Sequence, residues 1–170
     1  MLTSILQENI KNKKVLELGA GSGLISIACA KKNAEVTASD ISSRVIDALK
    51  ENSKSNNVSI SIIQSDLFDK IPDDHFDLIA INPPYYPKEP RNELEMAWYC
   101  GTDFQYFEKL FSQLGNYIHV NTKTLMVLSE DCNLEKIFAI AKQNQINFKE
   151  IVNRKFWWEK NMIYEIQKIA

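Results

Sequence analysis

Val15-Leu16-Glu17-Leu18-Gly19-Ala20-Gly21-Ser22-Gly23-Leu24 decides the fold. A short apolar run of strand character enters three glycines spaced two apart. Leu24, Ile25, Ile27, Ala28 and Ala30 then read as the core face of a helix. A strand that turns on glycine and re-enters as a helix aims that helix's free N–H groups at the turn, where nucleotide-type ligands sit. The dinucleotide fingerprint would place its third glycine at position 24, which is Leu24 here, a mismatch that weakens a nicotinamide-dehydrogenase reading.

Downstream the pattern repeats. Glu35–Asp40 reads as a second strand ending in an acid, and Ser42 to Ser55 as a helix with Ser42 as its cap. Val58 to Ile63 gives a third strand with Val58, Ile60 and Ile62 alternating, ending near Ser65-Asp66, and Phe76 to Ile81 a fourth, apolar on both faces. A helix is expected from Asp103 to Val120 carrying Phe104, Phe107, Leu110, Phe111 and Leu114. A fifth strand covers Thr124 to Leu128, and a further helix Asn133 to Asn144. Phe148 to Asn153 and Met162 to Lys168 lie too close for a helical crossover and are expected as an antiparallel hairpin at the sheet edge. Upstream, Leu2, Ile5, Leu6 and Ile10 have helical spacing. Strands alternating with helices predict an α/β fold, a doubly wound, mainly parallel sheet covered on both faces.

At 170 residues the chain is expected to be one domain, residues 1–170, burying roughly 70% of its unfolded surface. Hydrophobic residues make up 45% and charged residues 25%, which excludes a disordered chain. A net charge of −2 and a pI near 5.8 lack the basic excess of a self-sufficient nucleic-acid binder. Cys29, Cys100 and Cys132 are far apart with no CxxC pair, which indicates neither a disulfide framework nor a zinc site and fits a reducing cytoplasm. The apolar run Leu24 to Ala30 is too short to span a bilayer. The chain reads as soluble and cytoplasmic, with no metal and no membrane contact.

The fourth strand stops on Asn82-Pro83-Pro84-Tyr85. Two prolines fix φ and remove two backbone donors, and they push the preceding Asn into an extended conformation. The result is a rigid corner with an amide side chain, carbonyls and an aromatic ring, suited to gripping a planar N–H-bearing group. Asp40, about twenty residues past the glycines, can accept both hydroxyls of a ribose. Asp66 could meet an adenine amine, although either acid alone could equally be a helix cap or a solvated turn. All four features end strands, at the carboxyl edge where ligands bind in such sheets.

Glu17-Leu18-Gly19-Ala20-Gly21-Ser22-Gly23, Asp40, Asp66 and Asn82-Pro83-Pro84-Tyr85 resemble the four successive motifs of class I S-adenosylmethionine-dependent methyltransferases that act on amino groups. The resemblance implies a Rossmann-like seven-stranded sheet into which the terminal hairpin inserts. It implies S-adenosyl-L-methionine as cofactor, with Gly19, Gly21 and Gly23 near its methionine part, Asp40 at the ribose, Asp66 with Leu67 flanking the adenine, and Ile41 also among the cofactor-binding residues. Glu17 either tethers the glycine loop or reaches the cofactor's amino group. Asn82, Pro83, Pro84 and Tyr85 form the catalytic corner, with Asn82 beside the cofactor as well.

The tetrapeptide is shared by adenine, guanine and glutamine methyltransferases, so it names the reaction and not the substrate. Ala97-Trp98-Tyr99-Cys100-Gly101-Thr102-Asp103-Phe104 resembles the Ala-Leu-x-Gly-Gly-x-Asp-Gly element of the HemK/PrmC-like group, which methylates the glutamine of the Gly-Gly-Gln loop of translation release factors. Ala97, Gly101 and Asp103 match, whereas Cys100 and Phe104 replace glycines. A helix start capped by Thr102 or Asp103 reads the same residues equally well. A release factor is the expected protein partner, and RNA or DNA with an exocyclic amine the alternative. No counterpart of the larger members' N-terminal helical domain is expected. The chain looks more like short single-domain members, some of which work with a small zinc-binding activator subunit. Arg154-Lys155-Phe156-Trp157-Trp158-Glu159-Lys160 reads as cover for the sheet edge, and His75 and His119 as solvated.

Overall fold

A computed structural model describes residues 9–156 and 159–169. The strands are β1 (Lys14–Leu18), β2 (Glu35–Asp40), β3 (Ser61–Gln64), β4 (Leu78–Ile81), β5 (Lys123–Ser129), β6 (Ile146–Phe156) and β7 (Glu159–Lys168). The helices are α1 (Leu24–Ala30), α2 (Ser43–Ser55), α3 (Gln105–Leu114) and α4 (Leu134–Gln143), with a 3₁₀ turn at Glu95–Ala97. The strands make one seven-stranded sheet in the order β3-β2-β1-β4-β5-β7-β6. The chain forms two compact units, one running to Ile81 and including His119–Thr122, the other Asn82–Ile118 and the chain from Lys123 onward.

In the first unit β1 pairs in parallel with β2 on one side and β4 on the other, and β2 with β3. Leu18 lies opposite both Ser39 and Ile81, so the strands of this unit end at one edge. The order reverses between β1 and β4, the point where ligands bind in open α/β sheets. β1 is buried on both faces, with Leu16 and Leu18 on one and Val15 and Glu17 on the other. Ala20, Ala38 and Leu49 pack together, with Ile60 and Ile62 against them.

Several boundaries differ from the sequence expectation. β3 forms only over Ser61–Gln64; Val58 and Ile60 keep their half-buried alternation but precede the paired segment. Phe76 is buried ahead of β4 rather than within it. On α1 the buried face is Ile25, Ser26 and Cys29, and Leu24 at the first helical position is 67% exposed. Ser42 does occupy the N-cap of α2 with extended backbone, but its side chain makes no capping bond. The helix expected from Leu2, Ile5 and Leu6 lies outside the described residues, and so do Trp157 and Trp158.

In the second unit α3 buries Phe107, Leu110, Phe111 and Leu114 and stops at Gly115, well short of Val120. Neither Thr102 nor Asp103 caps it. Phe104 holds the N-cap with φ +64°, and the Asp103 amide donates to Gln105 Oε1 at 3.1 Å. Asn133 caps α4 by accepting from the Lys136 amide. β7 is antiparallel to both β5 and β6, so the terminal hairpin forms as expected and is longer than the alternation indicated. β7 lies between two strands and buries Met162, Ile163, Tyr164 and Ile166, while β6 takes the edge with a bulge between Glu150 and Val152.

Candidate functional site

The glycine turn between β1 and α1 is held from three directions. Asp40, at the end of β2, accepts the Gly21 amide on Oδ2 at 3.1 Å and the Ser42 amide on Oδ1 at 3.0 Å. The Ala20 amide donates to Ser39 O at 2.9 Å, and Asn52 of α2 donates from Nδ2 to Ser22 O at 3.0 Å. Each carboxylate oxygen has about two acceptor directions, so Asp40 keeps one at each oxygen after binding these amides. That leaves it able to take a pair of hydroxyls.

Two of the glycines serve different ends. A Cβ at Gly23 would fall 2.1 Å from Leu49 Cδ1, so this glycine, at φ +76°, lets α2 pack against the turn. A Cβ at Gly21, at φ +52°, would meet nothing within 4 Å. The space above Gly21 is open to a ligand, and the residue's own amide is already tied back to Asp40.

Glu17 is 5% exposed. Its Oε2 accepts the Ser26 amide at 2.8 Å and also the Ser26 hydroxyl. Ser26 is the third residue of α1, whose N-cap, Gly23, has no side chain to offer, so a strand carboxylate does the capping. These bonds tie the end of β1 to the first turn of α1. Burial pushes its carboxyl up to about 7 against the opposing pull of the two Ser26 bonds, with the Asp40 charge adding to the rise.

The remaining strand ends follow. Ile41 is 40% exposed beside Asp40, and its carbonyl accepts Gln64 Nε2 at 3.1 Å. Asp66 is exposed; Leu67 is buried with φ +52°. The buried Ser65 hydroxyl locks this loop, donating to Leu67 O at 2.9 Å and accepting from the Lys70 amide at 3.0 Å. Ser26, Asn52 and Ser65 were not identified from the sequence. The one available signal was Ser26, a lone hydroxyl in the apolar helix Leu-Ile-Ser-Ile-Ala-Cys-Ala.

In the second unit Asn82 is exposed, Pro83 buried, and Pro84 and Tyr85 half-buried. The Tyr85 and Tyr86 rings lie 4.8 Å apart at 51°. Past the corner the chain is closed into a loop. Tyr86 N donates to Trp98 O at 3.0 Å, Cys100 N to Tyr86 O at 2.9 Å, and Gly101 N to Lys88 O at 3.1 Å. Gly101 is buried at φ +86°, Asp103 is exposed, and Ala97 ends the 3₁₀ turn. Phe104 keeps a left-handed backbone although it stands where the resembled element has glycine; its buried ring, 6.3 Å from that of Phe107, offsets the strain. Leu94 and Trp98 of the loop are exposed.

Elsewhere, His75 and His119 are exposed, and their rings pair 5.2 Å apart. Cys29, Cys100 and Cys132 are buried free thiols. Among the described residues no three His, Cys, Asp or Glu side chains are grouped to hold a metal, and no helix is long and apolar enough to cross a membrane. A cavity of about 660 Å³ lies at the opposite, amino end of β2, among Asn12, Asn33, Glu35 and Asn57.

A family model for the methyltransferase small domain matches residues 1–146. Over 116 residues the chain is 41% identical to a Methanocaldococcus jannaschii protein named as a protein N5-glutamine methyltransferase, covering 65% of this chain and 58% of that one. It is 42% identical over 93 residues to the release factor glutamine methyltransferase of Streptococcus pneumoniae, covering 53% of this chain and 33% of that one. The chain thus spans less than two thirds of the length of the curated relatives it matches. Among solved structures, the E. cuniculi Mtq2-Trm112 complex responsible for methylating the eRF1 termination factor superposes with a TM-score of 0.70 at 19% identity, covering 98% of this chain and 92% of that one. With the matched family model spanning most of its residues, the chain belongs to the methyltransferase small domain family.

Proposed function

We propose that residues 1–170 act as one S-adenosyl-L-methionine-dependent amino-methyltransferase domain that methylates the side-chain amide of a glutamine in a translation release factor. One observation carries the reading: the Asn82-Pro83-Pro84-Tyr85 corner follows β4 directly, and β4 is the parallel partner of β1, whose own exit is the glycine turn tied to Asp40. The open space at Gly21, the spare acceptor directions of Asp40 and the exposed Ile41 fit the cofactor, with Asp66 and Leu67 at its adenine. When bound, it supplies an electrophilic methyl on a sulfonium sulfur.

An amide nitrogen is a poor nucleophile because its lone pair is delocalised into the carbonyl. The Asn82 side-chain oxygen and the Pro83 carbonyl accept its two N–H groups and favour a pyramidal nitrogen whose lone pair is directed out of the amide plane. The prolines hold those acceptors still. Tyr85 packs against the planar group. Positioning of this kind is worth up to about 7–11 kcal/mol, so no strong base is required before transfer, and the acidified nitrogen then loses its proton to water.

The glutamine substrate is supported by the names of the relatives, and a cytoplasmic site of action follows from a release factor substrate. A small zinc-binding activator is the proposed accessory partner, since the E. cuniculi neighbour is assembled with a second protein. The test is incubation with methyl-labelled cofactor and either purified release factor, with and without such a subunit, or total RNA. Label in the release factor glutamine is expected; label in RNA alone would overturn the substrate assignment.

A further inference from the structure

Tyr85 and Tyr86 are sequence neighbours whose rings nonetheless pack on each other, 4.8 Å apart. Tyr86 is held in place by an isolated parallel β-bridge to Tyr99. The fastening lies in Tyr86's own main chain. Its N–H donates to Trp98 O at 3.0 Å, and its carbonyl accepts both the Cys100 amide at 2.9 Å and the Cys100 thiol at 3.3 Å. Cys100 is 2% exposed, and its carbonyl in turn accepts the Tyr106 amide of α3 at 3.1 Å. The Tyr86 backbone is therefore pinned, through Cys100, to a helix anchored by Phe107, Leu110, Phe111 and Leu114.

We infer that Tyr86 is a positioning residue for Tyr85, its ring helping to fix the orientation of the neighbouring ring. This rests on the reading of Asn82 to Tyr85 as the corner that grips the target amide. The prolines have little freedom of their own, whereas a Tyr ring turns about two side-chain bonds. A ring that must lie flat against a planar group needs a backstop, and Tyr86 supplies one that the main-chain clasp keeps in register even when its side chain is removed. The effect is distinct from substrate contact: losing the backstop slows transfer without weakening encounter.

The test compares wild type, Tyr86→Ala and Tyr86→Phe. Tyr86→Ala is expected to lower kcat toward purified release factor about tenfold, with KM and S-adenosyl-L-methionine affinity unchanged, and Tyr86→Phe to restore it. Nuclear magnetic resonance of labelled tyrosines reads the same claim without activity. Cross-relaxation between the two rings is expected in wild type, together with a Tyr85 ring shift that moves in Tyr86→Ala and returns in Tyr86→Phe. An unmoved Tyr85 signal, an unchanged kcat, or a rise in KM alone would overturn the inference. If wild type methylates no release factor while the ring signals behave as stated, the substrate reading falls and the Tyr85–Tyr86 relationship stands.

Discussion

Glu17 of β1 and Ser26 of α1 are joined twice, the carboxylate accepting the serine amide at 2.8 Å and its hydroxyl as well. Buried beside Asp40, this carboxyl titrates at about 7 against an ordinary value of 4.5. The folded chain then holds a proton that the unfolded chain has released, so stability from this group is full below pH 4.5, falls as pH rises toward about 7, and is flat beyond. The amplitude is on the order of 3 kcal/mol. Urea unfolding across that window should show wild type losing stability relative to Glu17→Gln, which carries no charge; parallel profiles would contradict the assignment.

Gly21 and Gly23 should separate binding from folding. Gly23→Ala drives a methyl into Leu49 at positive φ and is expected to cost about 2–4 kcal/mol, read as a fall in melting temperature. Gly21→Ala meets open space, and its left-handed backbone costs only about 1 kcal/mol. Its larger effect should be at least about a tenfold loss of S-adenosyl-L-methionine affinity by calorimetry, because the methyl occupies the space proposed for the ligand.

Phe104 combines a buried ring with φ +64°. Truncation to Ala loses the ring and keeps the backbone strain, at about 3–5 kcal/mol. Phe104→Gly loses the same ring and relieves the strain, so it should be more stable than Phe104→Ala by about 1 kcal/mol, the reverse of the usual order. Denaturant midpoints of the two variants check this.

Thr124 of β5 buries its hydroxyl with no hydrogen-bond partner among the described residues. Thr124→Val keeps the branched shape and removes the unmet polar group, so it should raise stability by about 1 kcal/mol in the same measurement.

Asn82→Ala removes one proposed acceptor for the target amide while the prolines keep the corner. A drop of about 10²-fold in kcat is expected on release factor, followed by transfer of labelled methyl. Unchanged turnover would remove Asn82 from the mechanism.

Much of this was legible because it is local. The glycine turn, the acids ending β2 and β3, and the double proline ending β4 announce themselves within a few residues, and period-two and period-3.6 patterns locate the strands and helices around them. The boundaries were less legible. Val58 and Phe76 have strand-like character, but neighbouring backbone pairs only over Ser61–Gln64 and Leu78–Ile81.

The chain by itself determined the order of elements and which residue types stand at the strand ends, since propensity, turn chemistry and spacing are properties of short stretches. Tertiary structure alone decided the rest. It joined Glu17 to Ser26, set Leu24 outward, forced Phe104 into a glycine's backbone, and folded Tyr86 back onto Trp98 and Cys100. Each depends on contacts assembled through sheet register and helix packing, and no local pattern encodes which groups will meet.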